Sequence, residues 1–406
     1  MECPNYFWPW FSEEEYARRY ARLREGMAKK GLDCLIVYGI SRGMGMEPGQ
    51  PNVVYLTSVA AWSQTFVVFP LEGAPSVFVL SSNHVKNVRD MSVIKDVRPA
   101  GSFQRTGGLR SSAVPVAERI KELGLEKKRI GIVGDTGWLN INLPHDAHVA
   151  LTGALPGAEF EVVTEWYEHL RLVKSEEEVA VMRRSAAMTD AAYEVMVQAT
   201  RPGVRPCDLY KILVRVALDL DGRLTLGHVG RTPMKKPDMD YPHYYPLTVP
   251  IQEGDVVMTE VGVGVGGYYG KIWGTFFVGD PTPEYERMFQ LAAQTSFGLH
   301  AAIKPGVKVE QLAPLCLDTI QNAGYRSKTS ICGWSNWNAP PDVRGAGDQV
   351  TDPDFVFEKN HCINVVGWTS NEEQSKGVWL GDTCVIHADR LENLQKYPIR
   401  EIHVAR

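Results

Sequence analysis

One stretch constrains the chain more than any other: Gln252–Val278, QEGDVVMTEVGVGVGGYYGKIWGTFFV. Two runs rich in β-branched and aromatic residues, Asp255–Val261 and Tyr268–Val278, flank the glycine-dense GVGVGG. Glycine lets the backbone reverse without steric cost, so an antiparallel pair is expected. With the turn centred on Gly264–Val265–Gly266, Glu260 falls opposite Lys271 and Met258 opposite Trp273. Opposed side chains share a face of the pair with Cβ atoms roughly 5 Å apart. An acid and an amine would then meet inside an apolar ladder. Such a pair has two readings. It is a cross-strand ion pair, worth roughly 0–1 kcal/mol if exposed and costing about 3–5 kcal/mol to break if buried. Alternatively it is chemical, with Lys271 anchoring or polarising a substrate and Glu260 orienting a neighbour.

Composition narrows the classes that the hairpin leaves open. A length of 406 residues supports two domains with full cores. The 44% hydrophobic and 22% charged content is that of a globular protein. A net charge of −5 without a long basic run gives no footprint for nucleic acid. No apolar stretch approaches the roughly 20 residues of a membrane span. The opening MECPNYFWPWFSEEE lacks the basic and apolar regions of a secretory leader. Seven cysteines, at 3, 34, 207, 316, 332, 362 and 384, show no CxxC spacing. Reduced thiols in a cytoplasmic protein are expected.

Along the chain, Ser12-Glu13-Glu14-Glu15 is a capping box for a helix that ends at Gly31. Cys34–Tyr38, Val53–Leu56, Thr65–Pro70, Ser76–Val79 and Arg129–Val133 read as strands, and Ser112–Leu123 as a helix. This alternation predicts an α/β domain over 1–165. Ser175-Glu176-Glu177-Glu178 is a second capping box, opening a helix to about Thr200. Helices over Cys207–Leu220, Glu284–Ile303 and Val309–Ala323 follow, with Leu224–Pro250 largely loop. Ser330–Asp342 reads as a loop or irregular strand, and Cys362–Trp368 and Val378–His387 as closing strands. The part 166–406 is therefore expected to be α+β, an antiparallel sheet covered by helices.

The frame GDxVxxExGxxxxGYxxK, Gly254 to Lys271, resembles the first metal motif of the pita-bread family of aminopeptidases, prolidases and creatinases. That family reads GDxVxxDxGxxxxGYxxDxxRT. The string RLVKSEEEVAVMRRSAAMTDAAYEVM…RPGV is similar to the family's domain-joining helix, and the resemblance covers 166–406. It implies a creatinase-like N-terminal domain followed by a pita-bread domain whose curved sheet surrounds a pocket. It also implies a homodimer in which one N-terminal domain lids the partner's site.

The same resemblance marks what has changed. Glu260 and Lys271 stand where the family has its first two aspartate ligands, and Gly274 where it has an arginine. Trp334, in Ile331–Ser335, takes the place of the ligand histidine. Val366 and Gly381 take those of the two ligand glutamates. One carboxylate beside an ammonium group is a poor donor set, because a dication needs several convergent neutral or anionic donors. No metal and no cofactor is therefore expected.

His243, in Tyr241-Pro242-His243-Tyr244-Tyr245-Pro246, matches the histidine of the family's PHxxP element, which transfers protons in creatinase. Histidine suits that work because its unperturbed pKa is about 6.5. The alternative is a histidine packed among tyrosines. Trp273, Trp334, Trp337, Trp379 and Tyr245 are candidate pocket walls for a flat organic molecule, or plain core. Asp382 matches the acid after the fifth ligand position and is a candidate substrate contact or a structural group, and His228 with Arg231 are candidates at the mouth. Creatinase's own glutamates are Trp273 and Val366 here, and Ala60–Thr65 lacks the arginine that binds a carboxylate. Creatine is therefore not the expected substrate.

Together these residues imply an enzyme for a small organic molecule that hydrolyses a C–N bond without metal and is not a proline peptidase. His243 would be the general acid/base, with Glu260 and Lys271 binding and polarising. A lyase or decarboxylase on the same site, and a ligand-binding pseudoenzyme, remain open.

Overall fold

The computed structural model describes residues 11–40, 50–59, 61, 63–101, 112–135, 142–335, 337–344 and 353–406, with backbone alone at 334–335 and 337–344. The chain divides into two compact units, Met1–Arg171 and Leu172–Arg406.

The first unit opens with helix α1 (Glu13–Lys30), capped by Ser12 Oγ on the Glu15 amide and stopped by Gly31 in the left-handed region. Strand β1 (Cys34–Ile40) leads to α2 (Pro51–Thr57), β2 (Gln64–Pro70) and β3 (Ser76–Val79). Then come α3 (Ser82–Met91), β4 (Asp96–Pro99), α4 (Ala113–Glu122), β5 (Arg129–Val133), α5 (His145–Ala154), β6 (Glu159–Val162) and α6 (Thr164–Leu172). The six strands lie in the order β4-β3-β2-β1-β5-β6. Apolar clusters fill both faces, with Leu35, Val37 and Val67 on one and Ile36, Phe66 and Ile130 on the other. The strand expected at Val53–Leu56 is helical. Pro51 occupies the first turn, where its fixed φ and missing N–H cost nothing. The whole segment is buried, and a short apolar run carries no period that separates helix from strand.

The second unit begins with α7 (Glu176–Ala199). Its capping box is complete, with Ser175 and Glu178 each bonding the other's backbone amide. Then follow α8 (Pro206–Asp219), β7 (Arg223–Pro233), β8 (Asp255–Val265), β9 (Tyr268–Val278) and α9 (Pro283–Ala302). After a 3-10 turn, Val309–Leu312, come α10 (Ala313–Gln321), β10 (Arg326–Ser327), β11 (Ser330–Ser335) and β12 (Trp337–Arg344). The last strands are β13 (Cys362–Ser370), β14 (Gly377–Ile386), β15 (Leu391–Asn393) and β16 (Val404–Ala405). The central path of the sheet runs β12-β11-β13-β14-β9-β8-β7. An α/β domain thus precedes an antiparallel sheet covered by helices.

Helix α7 lies directly on the β8–β9 hairpin because three positions there carry no side chain. A Cβ at Gly264 would meet Ser185 Oγ at 2.8 Å, one at Gly270 the Ala186 Cα at 2.5 Å, and one at Gly274 the Tyr193 hydroxyl at 1.8 Å. Ile272, Phe276 and Val278 complete the apolar contact. By strand alternation the neighbouring residues, Lys271, Trp273 and Thr275, face the other way. The site is built on that face.

Part of the segment read as loop, Leu224–Pro250, belongs to β7. This is the terminal strand of the sheet, with a bulge between Leu224 and Leu226. Its pairing to β8 and not its local alternation makes it a strand.

Replacing Ser175 with alanine removes the side-chain half of the capping box. The expected loss is about 1 kcal/mol, read as a lower chemical-denaturation midpoint. A Glu178→Gln variant, which keeps the reciprocal bond, should lose less.

Candidate active site

A single row of paired residues crosses the sheet on the face away from α7: Ser330, Val366, Gly381, Trp273, Glu260 and His228. The hairpin register differs from the one expected. Glu260 pairs with Trp273, Gly262 with Lys271, and Met258 with Thr275. The reversal is made by Gly266 and Gly267, at φ 54 and 85. Those positive angles suit glycine and penalise the β-branched Val265 of the expected turn. Glu260 and Lys271 are thus diagonal neighbours on one face. The lysine side chain spans the offset, and its Nζ makes an ion pair with Glu260 Oε1.

Glu260 is 1% exposed and Lys271 2%. The second Glu260 oxygen is 3.2 Å from His228 Nδ1 and accepts the Tyr241 hydroxyl at 3.1 Å. Lys271 Nζ lies 3.9 Å from the centroid of the Trp273 ring, adding a cation–π attraction. Its amide donates to Thr383 Oγ1 at 2.9 Å, and that hydroxyl donates to Asn364 Oδ1 at 2.9 Å. Burial pushes the Glu260 carboxyl up, but the Lys271 charge and the hydrogen bonds from His228 and Lys271 outweigh it and hold the group at about 2.

Around this pair Trp273, Trp379, Met239, Met258, Cys332 and Val366 form one apolar cluster, with Tyr241 and Trp368 packed against it. The Trp379 ring stands 4.9 Å from Trp368 and 5.1 Å from Tyr241, both edge-on. The site is therefore an aromatic floor with one neutralised charge pair set into it. Glu260, Lys271, Trp273 and Trp379 are themselves buried, and His228 stands partly exposed at the edge of the pair.

The sequence candidates divide by location. Trp273 is in the floor, and His228 touches Glu260 and meets the Tyr244 ring edge-on at 5.5 Å. His243 is exposed, on the segment between β7 and β8, and forms no hydrogen bond or ion pair among the described residues. Tyr245 is 84% exposed on the same segment and lies outside the aromatic cluster. Trp334 and Trp337 lie on β11 and β12, and their side chains are outside the described residues.

Asp382 is on the opposite face of β14 from Gly381, turned to α9. There it meets His300 Nε2 at 3.2 Å, an Arg400 nitrogen at 2.7 Å and Asn393 Nδ2 at 2.5 Å. Burial raises its carboxyl, while Arg400 and His300 more than reverse the effect. The expectation that Asp382 binds substrate is corrected accordingly: alternation along the strand carries it away from the floor. Arg231 is likewise turned away, paired with Asp255 at 2.6 Å.

Among the described residues, His300, Asp382 and Cys384 offer the one trio of converging metal-ligand atoms. Arg400 already supplies the cation there, 2.7 Å from both Asp382 and His300. Burial also pushes the Cys384 thiol well above its ordinary range, against a thiolate ligand.

Sequence reasoning passed over Tyr241, Asp240, Lys328 and Trp368. Tyr241 stands two residues before His243 in YPHYYP. No spacing rule links it to Glu260, because the segment between β7 and β8 is irregular.

The family follows from comparison with known proteins. Residues 180–388 match the model of metallopeptidase family M24, and residues 19–173 match the creatinase/prolidase N-terminal domain. The chain belongs to family M24. The ectoine hydrolase of Halomonas elongata is 21% identical over 410 residues, covering 96% of this chain and 97% of the relative. The creatinase of a Bacillus species is also 21% identical, covering 97% and 94%. Among solved structures, dipeptidase PepE of Mycobacterium ulcerans superposes with a TM-score of 0.78 at 20% identity, covering 98% of this chain and 99% of that one. This last likeness shows the fold alone. The chain is thus a member of the creatinase-like hydrolase family with a pita-bread domain. No helix among the described residues is long and apolar enough to cross a membrane.

Lys271→Met strands the Glu260 charge and should cost about 3–5 kcal/mol, measured by chemical denaturation. The double change Glu260→Gln with Lys271→Met should recover much of it. The Glu260 carboxyl sits at about 2 against an ordinary 4.5. Its stabilising contribution is therefore full above about pH 4.5 and lost as pH falls through about 2. Acid titration of the double variant should lack that component.

Proposed function

We propose that this chain hydrolyses a C–N bond in a small organic molecule without a metal ion, using His243 as general acid and base. The observation that carries this reading is the closure of the ligand positions. A Cβ at Gly381 would meet Val366 Cγ2 at 2.7 Å, the Val365 carbonyl at 3.0 Å and Trp273 Cε3 at 3.1 Å. A side chain there would have to displace Val366, and glycine itself offers no donor. Val366 offers no donor, and the Lys271 ammonium occupies Glu260. The described donor set does not fit a dication. Hydrolysis of a small molecule is carried over from the relatives named creatinase and ectoine hydrolase.

In this reading His243, exposed and without a protein partner among the described residues, meets the substrate directly. Its imidazole takes a proton from water as the water oxygen bonds to the electrophilic carbon. The imidazolium then returns that proton to the departing nitrogen. Water has added across the bond, and histidine ends as it began. The aromatic floor holds the flat part of the molecule, and the fixed dipole of the Lys271–Glu260 pair polarises it from beneath. His228 keeps the Glu260 carboxylate in place. Proline-peptide cleavage by a metal-activated water is not part of this reading.

The depth of the charge pair favours one alternative. At 1% and 2% exposure the pair serves equally as structure, and the chain would then be a ligand-binding pseudoenzyme. A thermal-shift screen of amides, amidines and guanidines identifies the ligand, which raises the melting temperature of the native state. Turnover of that ligand, falling about 10²–10⁴-fold in His243→Ala, supports the enzyme. Unchanged turnover removes His243 from the chemistry, and stoichiometric Mn, Fe or Zn by elemental analysis overturns metal independence. The homodimer belongs to the same proposal and should show in light scattering as twice the chain mass.

A further inference from the structure

The segment Met239–His243 is laid across the floor of the site by an unusual concentration of bonds. The Met239 amide donates to the Ser375 carbonyl at 2.7 Å. The Asp240 carboxylate accepts Lys328 Nζ at 2.7 Å and Ser370 Oγ at 2.5 Å, and its carbonyl accepts Trp368 Nε1 at 3.2 Å. Asp240 is 6% exposed. The next residue, Tyr241, donates to Glu260.

Two glycines make the room. A Cβ at Gly377 would lie 2.8 Å from Asp240 Cβ, and one at Gly230 would lie 2.9 Å from Pro242 Cα and 3.2 Å from the His243 amide. Gly230 shares its face of β7 with His228, so the His243 backbone rests on the strand face that forms the site. Beyond His243 the chain is exposed through Tyr245 and is bonded again where the Leu247 carbonyl accepts the Cys207 amide at 3.0 Å.

We infer that Asp240 is a positioning residue, its ion pair with Lys328 latching this segment so that Tyr241 meets Glu260 and His243 is held against β7 at the site. The latch rests on the reading in which His243 transfers the proton. The physical need is plain. A buried carboxylate that loses its cation becomes costly where it lies, so the segment carrying it is driven outward to solvent. Lys328 Nζ also lies 5.1 Å from the Trp368 ring, which aims the ammonium at Asp240.

Hydrogen exchange of residues 239–247 and steady-state kinetics test the latch in Asp240→Asn and Lys328→Met, with Lys328→Arg as the conservative control. The kinetic substrate is the ligand from the thermal-shift screen. Exchange is expected to accelerate in the first two variants and stay protected in the third. Turnover should fall about tenfold to a hundredfold, with KM changing less, because a displacement of an ångström is costly to catalysis. Gly377→Ala, which pushes Asp240 from the other side, should reproduce the effect with both charges intact, and it stands in if either charge variant fails to fold. Unchanged protection in the folded variants overturns the latch. Faster exchange with unchanged turnover overturns the positioning role while leaving the segment bonds as described. Normal turnover in His243→Ala overturns the acid/base reading alone, and the exchange result still decides whether the segment is latched.

Discussion

The Glu260 carboxylate and the Lys271 ammonium lie at the middle of an apolar sheet, and neither charge is tolerable there without the other. Moving an ion out of water costs several kcal/mol even after relaxation, and the attraction between partners repays this only when the remaining lone pairs and protons are also satisfied. Each feature around the pair serves that requirement. His228 and Tyr241 fill the second carboxylate oxygen, Trp273 faces the ammonium, and Thr383 holds the lysine backbone. Against desolvation, the Lys271 charge and the hydrogen bonds from His228 and Lys271 hold the Glu260 carboxyl below its ordinary range.

The pair depends in turn on absent side chains. Gly264, Gly270 and Gly274 bring α7 onto the hairpin from one side. On the other side Gly230 and Gly377 admit the segment that delivers Tyr241, while Gly381 lets Trp273 and Val366 close over the centre. A β-sheet otherwise holds neighbouring layers about 10 Å away. Thinning it at these positions brings a helix to one face of the hairpin and the Tyr241 segment to the other.

Much of the architecture is legible along the chain, for identifiable reasons. Helix starts at Ser12 and Ser175 follow from local capping chemistry, and Ser76–Val79 and Arg129–Val133 are strands with the bounds their apolar runs suggest. The errors fall where local pattern and long-range pairing disagree. Val53–Leu56 has strand composition but lies behind Pro51 in a helix. β7 reads as loop because it is an irregular terminal strand whose identity comes from β8. The hairpin register shifts because two adjacent glycines outcompete a turn containing valine, which moves Lys271 from directly opposite Glu260 to the diagonal. The contact survives, since the lysine side chain reaches across the offset.

By itself the sequence determined the family frame, the two-part organisation and the meeting of an acid with an amine on one strand pair. These are encoded by residues close together in the chain or by a motif of fixed spacing. Only the tertiary structure decided that His228 and Tyr241 complete the carboxylate, that Asp382 faces the helices, and that Asp240 is tied to Lys328. Those contacts join residues 11 to 88 positions apart or depend on which face a strand presents. Neither is set until the strands have paired, because pairing fixes which side chains share a face.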